Sequence, residues 1–404
     1  MRVGNASYPG RQFPIRQRGV TLVELLVSLA LGLAVLVGLS AVYVASKQSF
    51  RFQETAGRLQ EDGTYALETI ARDLRMAGFA GCRGVDAITI ASVLTYYPTL
   101  TMSSASPGGI NGANPLATVE STNAAVLVQP LSPQNFLRGF DAVPAAMFPV
   151  GSVPVSSATD SLFFSGGSSN ALSISAAMAA ANSPLTIASD AFGWGTPTSK
   201  IYNMIVSNCT ASSLFAGQVS GGGTQILHST AVSSTTAGTN AANTFPSSPS
   251  YGVDSLVMPL EWNFYYVATR AGAATPSLYR VFFDGSDRNN AEEVVSNVES
   301  MKLHYGENTV SYVDGPKADV WRTSAASVTD WSRVVAVRVG LMMVSADDSA
   351  NRDVLSIAPC SSAVPANCPT LLGQIYTPPA GASSSRLRKE FSTTVVLRNR
   401  VAAR

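Results

Sequence analysis

The chain has 404 residues, enough for one large domain or two smaller ones. Charged residues make up 13% of the sequence and the net charge is only +1, and no stretch interleaves basic with aromatic residues. The sequence therefore gives no support to nucleic-acid binding, which requires a basic surface.

The first predicted elements are a basic leader and an apolar helix. From Val20 to Ala45 the only ionised side chain is Glu24. At about 1.5 Å per residue this helix spans roughly 39 Å, enough to cross a hydrocarbon core of ~30 Å. Because arginines stay on the cytoplasmic side, we expect a cytoplasmic N-terminus and, after Ser46, a chain in the periplasm or outside the cell. The leader has no acidic residue and four arginines: Arg2, Arg11, Arg16 and Arg18.

Three interpretations compete for this segment. An ordinary secretory signal has a shorter apolar core and ends at a small-residue cleavage site, but here the core is long and no clean Ala-x-Ala site follows. A plain membrane anchor fits the length and leaves Glu24 unexplained, since a carboxylate at the centre of a membrane helix costs about 2.5–3.5 kcal/mol. The third interpretation places a processing site just before the apolar run, after Gly19.

The heptapeptide GVTLVEL, which begins at Gly19, resembles the class III signal of type IV pilins and type II secretion pseudopilins. In these families a prepilin peptidase cuts after the glycine and methylates the new N-terminus. The resemblance implies cleavage between Gly19 and Val20, N-methylation of Val20, and a mature chain in which Glu24 is the fifth residue. Val20 stands where the families usually have Phe. The leader is long, which is consistent with translation that starts after Met1.

The chemistry of Glu24 agrees with this resemblance. In a filament whose apolar helices pack side by side, a carboxylate regains its desolvation cost from the N-terminal ammonium of a neighbouring subunit. Glu24 is therefore expected to set the stagger between subunits. Ser28 with Gly32, and Ala30 with Ala34, have the small-residue spacing that lets helices approach closely, although small residues are also common in ordinary membrane helices.

The helix is predicted to continue to residue 79, because no proline interrupts it. Its second half is amphipathic, and Gly63 is expected to weaken it locally before Gly78 and Gly81 end it. Apolar residues recur near a spacing of 3.6 at Leu59, Leu67, Ile70, Leu74 and Ala77. The expected domains are a leader (1–19), a transmembrane half-helix (20–45), an amphipathic half-helix (46–79) and a periplasmic β-rich head (80–404).

The head is predicted to be a sheet with long insertions, because short apolar or alternating segments are separated by stretches rich in Ser, Gly, Ala and Thr. The predicted strands are 124–131, 160–166, 201–209, 256–270, 277–285, 298–307, 333–345 and 391–400. The predicted loops are 97–120, 166–200, 210–252 and 348–385. The expected fold class is therefore α+β and type IV pilin-like: a long N-terminal helix, membrane-spanning in its first half, packed on an antiparallel β-sheet head with long loop insertions.

The four cysteines are an even set without CxxC spacing or a nearby histidine, which argues against a zinc site. In a head outside the cytoplasm they predict two disulfides, and three pairings are possible. The favoured pairing joins Cys360 with Cys368 around a short loop and leaves Cys82 for Cys209. Four buried free thiols are the alternative.

No catalytic motif is present in the sequence. His228 and His304 are far apart and lie in no ligand-spaced motif, and no phosphate-binding or nucleophile-elbow pattern occurs. We therefore expect no enzymatic activity and no cofactor.

Two clusters of charged residues each have a structural and a functional interpretation. The acidic stretch after the 277–285 strand offers oxygen ligands suited to calcium but lacks the EF-hand order, so a solvated turn is favoured. The basic C-terminus is interpreted as the polar edges of a final strand rather than a lipid or partner contact. The acidic residues are Asp284, Asp287, Glu292 and Glu293, with Asp347 and Asp348 interpreted in the same way; the basic ones are Arg386, Arg388, Lys389, Arg398, Arg400 and Arg404.

Four segments resemble a narrower family, the PilW-type minor pilins: RDLRMAGFAGC at the end of the helix, then VESMKLHYGEN, VVAVRVGLMMVS and RLRKEFSTTVVLRNRV. The resemblance implies a head related to the pseudopilin J type. It implies initiation of type IV pilus assembly and of the tip complex, with prepilin peptidase, other minor pilins, the major pilin and a PilY-type adhesin as partners. The implied location is the inner membrane and the pilus tip. The alternatives are a type II secretion minor pseudopilin and a periplasmic binding or hydrolytic domain on an uncleaved anchor.

Overall fold

The structure is a computed structural model. It describes residues 19, 21–81, 136–142, 152–154, 159–197, 200–209, 212–220, 222–234, 238–240, 245, 251–270, 272–286, 291–310, 317–346, 369–379 and 386–400. The leader before Gly19, the predicted strand 124–131 and the predicted loop 97–120 lie outside the described residues.

A single α-helix, α1, runs from Leu22 to Leu74, and the chain divides into two compact units at 54/55. In the first unit every described residue from Thr21 to Glu54 is exposed. The most apolar window of the helix has a mean hydropathy of 2.6, so the helix is long and apolar enough to cross a membrane. The predicted long helix is confirmed.

In the second unit the end of α1 packs on a sheet through the predicted apolar face. Leu59, Leu67, Ile70 and Leu74 are all buried in one cluster with strand residues, and each side chain of this kind contributes roughly 1.5–3 kcal/mol on burial. Gly63 is buried too, and a Cβ there would lie 2.6 Å from the ring of Phe391. The helix continues unbroken through Gly63, and the missing side chain lets it approach the last strand.

All strand pairs are antiparallel. The strands before the long central one are β1 (Leu137–Phe140), β2 (Ser152–Pro154), β3 (Ser161–Gly167), β4 (Leu172–Ala176), β5 (Leu185–Ile187), β6 (Ile201–Ser207), β7 (Ser212–Val219), β8 (Gln225–Leu227), β9 (Ser233–Ser234) and β10 (Gly238–Thr239). Then follow β11 (Leu256–Arg270), β12 (Ser277–Phe283), β13 (Glu292–Ser296), β14 (Val298–Glu307), β15 (Val320–Arg322), β16 (Val334–Val344), β17 (Thr370–Leu371), β18 (Gln374–Ile375) and β19 (Arg388–Val396). Among the described residues, short 3-10 helices are formed by Ala325–Ser327, Trp331–Arg333 and Arg398–Arg400.

Two sheets of the second unit lie against α1. One is four-stranded, in the order β15-β14-β16-β19, and the other has β1-β3-β11-β12-β13 in order, with β2 on the far end of β11. Residues of both sheets share a hydrophobic cluster with the helix. The far face of the second sheet is aromatic, with Phe163, Trp262 and Phe264 buried in a separate cluster. The predicted strands from 160 onward are confirmed, with ends that agree to within four residues.

A six-stranded antiparallel barrel occupies much of the region predicted as loop. The pairs β4–β5, β5–β8, β8–β7, β7–β6, β6–β11 and β11–β4 close into a ring. Its interior has its own core, which includes Met204, Phe215 and Ile226. The expectation that 166–200 and 210–252 are loops is therefore wrong, because both ranges contribute strands. The short strands β4, β5 and β8 each have only one or two buried apolar side chains. So few apolar residues form too weak a pattern to predict a strand.

Candidate functional site

The start of α1 is fixed by a threonine cap. The backbone N–H of Glu24 donates to Thr21 Oγ1 at 3.3 Å, and the N–H of Leu25 donates to the Thr21 carbonyl at 3.1 Å. Threonine at the N-cap with a glutamate three residues later is the sequence of a capping box. The sequence prediction missed this cap, although the Thr-x-x-Glu spacing signals it.

The carboxylate of Glu24 has no partner among the described residues. The contacts of this residue run through its backbone: its N–H donates to Thr21, and its carbonyl accepts from Ser28 Oγ at 2.7 Å. An acid in the first turn is also favoured by the helix dipole, by about 0.3–1 kcal/mol. This contribution is smaller than the several kcal/mol that burial of an unpaired carboxylate costs among packed helices, so capping alone does not explain Glu24.

The predicted processing site lies on open backbone. Gly19 is exposed and precedes the helix, and no atom lies within 4 Å of where its Cβ would be. Val20, the predicted new N-terminus, lies outside the described residues. Gly32 and Gly38 also have nothing within 4 Å. Helix positions of this kind leave room for the close approach of another helix.

At its other end α1 is tied to the head by an acid in the RDLRMAGF segment. Asp73 Oδ2 accepts from the Tyr265 hydroxyl at 2.6 Å and from Arg280 Nη1 at 2.9 Å. Arg280 also donates through Nε to Glu292 at 2.8 Å. Burial, together with the Asp73 charge, raises the pKa of Tyr265. No short sequence pattern joins these residues, which is why the sequence prediction missed them.

The backbone after the helix is seated on the sheet by hydrogen bonds. The N–H of Gly78 donates to the Ser165 carbonyl at 2.8 Å, and the N–H of Gly167 donates to the Phe79 carbonyl at 2.6 Å. Gly78 has a φ of +71°, a conformation that favours glycine. The helix itself ends at Leu74 and Gly78 lies in the turn after it, so the prediction of a helix to residue 79 is wrong for its last five residues. Asn399, beyond the last strand, donates to two carbonyls of the same turn.

The basic C-terminal residues serve intramolecular contacts. Arg388 forms a buried, bidentate ion pair with Glu299, at 2.7 and 2.9 Å. Arg400 is buried, donates to the carbonyls of Trp331 and Ser332, and stacks over the ring of Phe136 at 4.4 Å. Burial of both guanidinium groups contradicts a lipid contact at these two positions. Arg404 lies outside the described residues.

The cysteine predictions are tested at one position. Cys209 is disulfide-bonded and lies beyond β6, between that strand and β7. Cys82, Cys360 and Cys368 lie outside the described residues, so the pairing stays a prediction. Two contacts favour Cys82 as the partner: the Ser212 hydroxyl donates to the Ala80 carbonyl at 3.2 Å, and Gly81 packs on Ser207. The described segment therefore ends, at Gly81, beside the β6–β7 turn.

Both histidines are buried in the head. His228 is buried with Nε2 at 2.8 Å from the Ser183 carbonyl, and burial lowers its pKa. His304 lies in β14 and is 7% exposed, and burial lowers its pKa as well. Within the described ranges no three acidic, histidine or cysteine side chains are close enough to hold a metal ion.

The acidic stretch after β12 is used in local contacts. Glu293 accepts from Ser277 at 2.8 Å, and Asp284 accepts from the N–H and hydroxyl of Ser286 at 2.8 Å. Asp284 lies in the turn after β12, as interpreted, whereas Glu292 and Glu293 lie in β13, so the turn interpretation is wrong for these two. Asp287, Asp347 and Asp348 lie outside them.

Two family models match the chain. Residues 15–40 match the prokaryotic N-terminal methylation motif, and residues 264–399 match the type IV pilus-assembly protein W. The matched segments are those of a PilW-type minor pilin. The first covers Gly19, Val20 and Glu24, and the second covers the four-stranded sheet and part of the other sheet. The closed barrel of this PilW-type chain is almost entirely outside both.

Other comparisons add little. No curated protein matches the PilW-type chain. A solved structure, a type IV-like pilin from Thermus thermophilus, is 15% identical over 35% of this chain and 67% of its own, with a TM-score of 0.21. A score this low supports no conclusion. Pilin-family domains are structural rather than enzymatic, and the apolar helix with its methylation motif indicates membrane anchoring.

Proposed function

We propose that this PilW-type chain takes part in initiating type IV pilus assembly and in building the tip complex, after cleavage behind Gly19 and N-methylation of Val20. The observation that supports the proposal best is the Glu24 carboxylate, which lies in an exposed apolar helix and has no partner among the described residues. In a filament it pairs with the N-terminal ammonium of the neighbouring subunit. The pair offsets the cost of desolvating both charges.

The topology follows from the same segment. The arginine-rich leader stays in the cytoplasm, prepilin peptidase cuts at the membrane boundary, and the head is periplasmic. A disulfide at Cys209 is consistent with a compartment outside the cytoplasm. Other minor pilins, the major pilin and a PilY-type adhesin are the proposed partners, and the inner membrane and the pilus tip the proposed locations.

The proposal is tested by replacing Glu24 in the full chain and counting surface pili. Glu24→Ala is expected to leave the protein in the membrane and cleaved, but absent from sheared filaments, with pili reduced as in a deletion strain. Glu61→Ala is the matched control, since Glu61 is an exposed acid of the same helix outside the apolar segment. Normal piliation with Glu24→Ala contradicts the proposal and favours a domain on a plain anchor.

The same strains separate the pilus from a secretion filament. A type II pseudopilin shares the processing, so its loss reduces protein export and leaves pili intact. The PilW match over residues 264–399 favours the pilus. Loss of export without loss of pili overturns that choice.

A further inference from the structure

The last strand, β19, has a free edge among the described residues. It pairs with β16 on one side and ends the order β15-β14-β16-β19. The N–H of Leu397 donates to Val335 and the N–H of Ser345 donates to Leu387, which identifies the odd-numbered residues of β19 as those bonded to β16. The N–H and carbonyl groups of the even-numbered residues, such as Ser392 and Thr394, therefore point to the free edge.

A groove of about 680 Å³ runs beside this edge. The flank of α1 from residue 64 to 75 forms one wall, and Phe391, Ser392 and Thr393 form the other. The helix and β19 run in the same direction, because Lys389 near the start of β19 contacts Gln60, whereas Asn399 beyond its end contacts Arg75, later in the chain. A groove along an unpaired strand has the shape and the hydrogen-bonding groups that an added strand needs.

The lining of the groove restricts the chemistry of an occupant. Its floor is apolar, with Leu67, Ala71 and Phe391 buried there. The lining also includes the exposed Glu68, and at the far end of the groove lie the exposed Arg75 and Arg72, whose Nε is 3.4 Å from Asp73 Oδ1 while its side chain stays 73% exposed. An occupant thus needs apolar side chains on one face and an acidic group at the arginine end.

We infer that this groove binds an extended segment of a neighbouring pilin subunit, which adds as a strand to β19. The segment carries apolar residues toward Phe391 and an acidic residue that pairs with Arg72 and Arg75. A second copy of this chain fits less well, since antiparallel pairing of β19 with itself about Ser392 sets Glu390 opposite Thr394 and provides no acid for the arginines. The inference rests on the proposed function, because it requires a filament neighbour.

A proline at residue 392 tests the edge directly. Ser392→Pro removes an outward N–H and leaves the hydrogen bonds between β19 and β16 in place, which is where proline is tolerated in a sheet. We expect the full-length variant to be processed and held in the membrane like the wild type, with at least about a tenfold loss from sheared filaments. Ser392→Ala keeps the N–H and is expected to assemble normally.

Charge reversal supplies a variant that leaves the strand untouched. Arg72→Glu combined with Arg75→Glu changes two exposed side chains and is expected to give the same loss from filaments as Ser392→Pro. This variant decides the question if the proline variant does not accumulate in the membrane. Normal incorporation of the charge-reversed chain overturns the inference.

Photo-crosslinking in cells identifies the occupant. Benzoylphenylalanine at position 393 of the full chain is expected to form adducts with another pilin subunit, within a segment that includes an acidic residue; the same probe at the exposed Val310 is the control. Adducts only within this chain, or only between its copies, overturn the inference. If Glu24→Ala abolishes assembly while Ser392→Pro and charge reversal do not, the inference fails and the proposed function stands.

Discussion

The packing of α1 on β19 through Gly63 leads to a prediction with an internal control. Gly57 and Gly63 both lie in the helix, but a Cβ at Gly57 meets nothing within 4 Å, whereas one at Gly63 lies 2.6–2.8 Å from three ring atoms of Phe391. Alanine at either position gains about 1 kcal/mol of helix propensity. Only at Gly63 does it add an overpacking cost, of about 1–3 kcal/mol.

Because both variants gain the same helix propensity, the difference between their free energies of unfolding gives the cost of the contact with Phe391. We expect Gly57→Ala to raise the free energy of unfolding by about 1 kcal/mol and Gly63→Ala to leave it about 1–3 kcal/mol below that variant. Thermal melts of the purified full chain in detergent, followed by circular dichroism, measure this as a lower Tm for Gly63→Ala. In a Phe391→Leu background the gap is expected to narrow. Equal Tm increases for both variants refute the close approach of helix and strand.

Three further outcomes are expected. Burial raises the pKa of Asp160 to about 6 from 3.8, so the native state holds the proton longer than the unfolded state and stability falls by about 3 kcal/mol as pH rises from 4 to 7; urea titrations of Asp160→Asn should show a smaller fall. Asp73→Ala is expected to cost about 2–4 kcal/mol in urea unfolding, because it leaves Tyr265 and Arg280 without their shared acceptor, whereas Arg72→Ala next to it stays within about 0.5 kcal/mol. Thr21→Val is expected to remove about 1 kcal/mol of capping and so to speed hydrogen exchange at the Glu24 amide in micelles, and unchanged exchange contradicts the cap.

The strands that the sequence predicted most closely are those with long periodic patterns. The helix and the strands β11, β14 and β16 are 10 residues or longer, and over such lengths the apolar spacing is unambiguous. The barrel was missed for the opposite reason. Strand β5 has three residues, and β7 fills its buried positions largely with Ser, Ala and Gly, so its burial is decided by neighbouring strands rather than by its own hydrophobicity.

The candidate site divides in the same way. Glu24 could be singled out from the sequence because one acid in an apolar run is a local anomaly. The contacts of Asp73 with Tyr265 and Arg280 span about 190–210 positions of the chain, so no local sequence pattern predicts them. Gly63 shows the limit most clearly, since helix propensity alone marks it as a weak point, and only the position of Phe391 explains why a side chain is absent there.

The central claim, processing of this PilW-type chain as a prepilin, is tested most directly by the mass of its N-terminal peptide after recovery from membranes. The account predicts a peptide that begins at Val20 and carries one additional methyl group on its amino terminus. A chain that still begins at Met1, or one that begins near Ser46, contradicts prepilin processing and leaves Glu24 without its proposed partner.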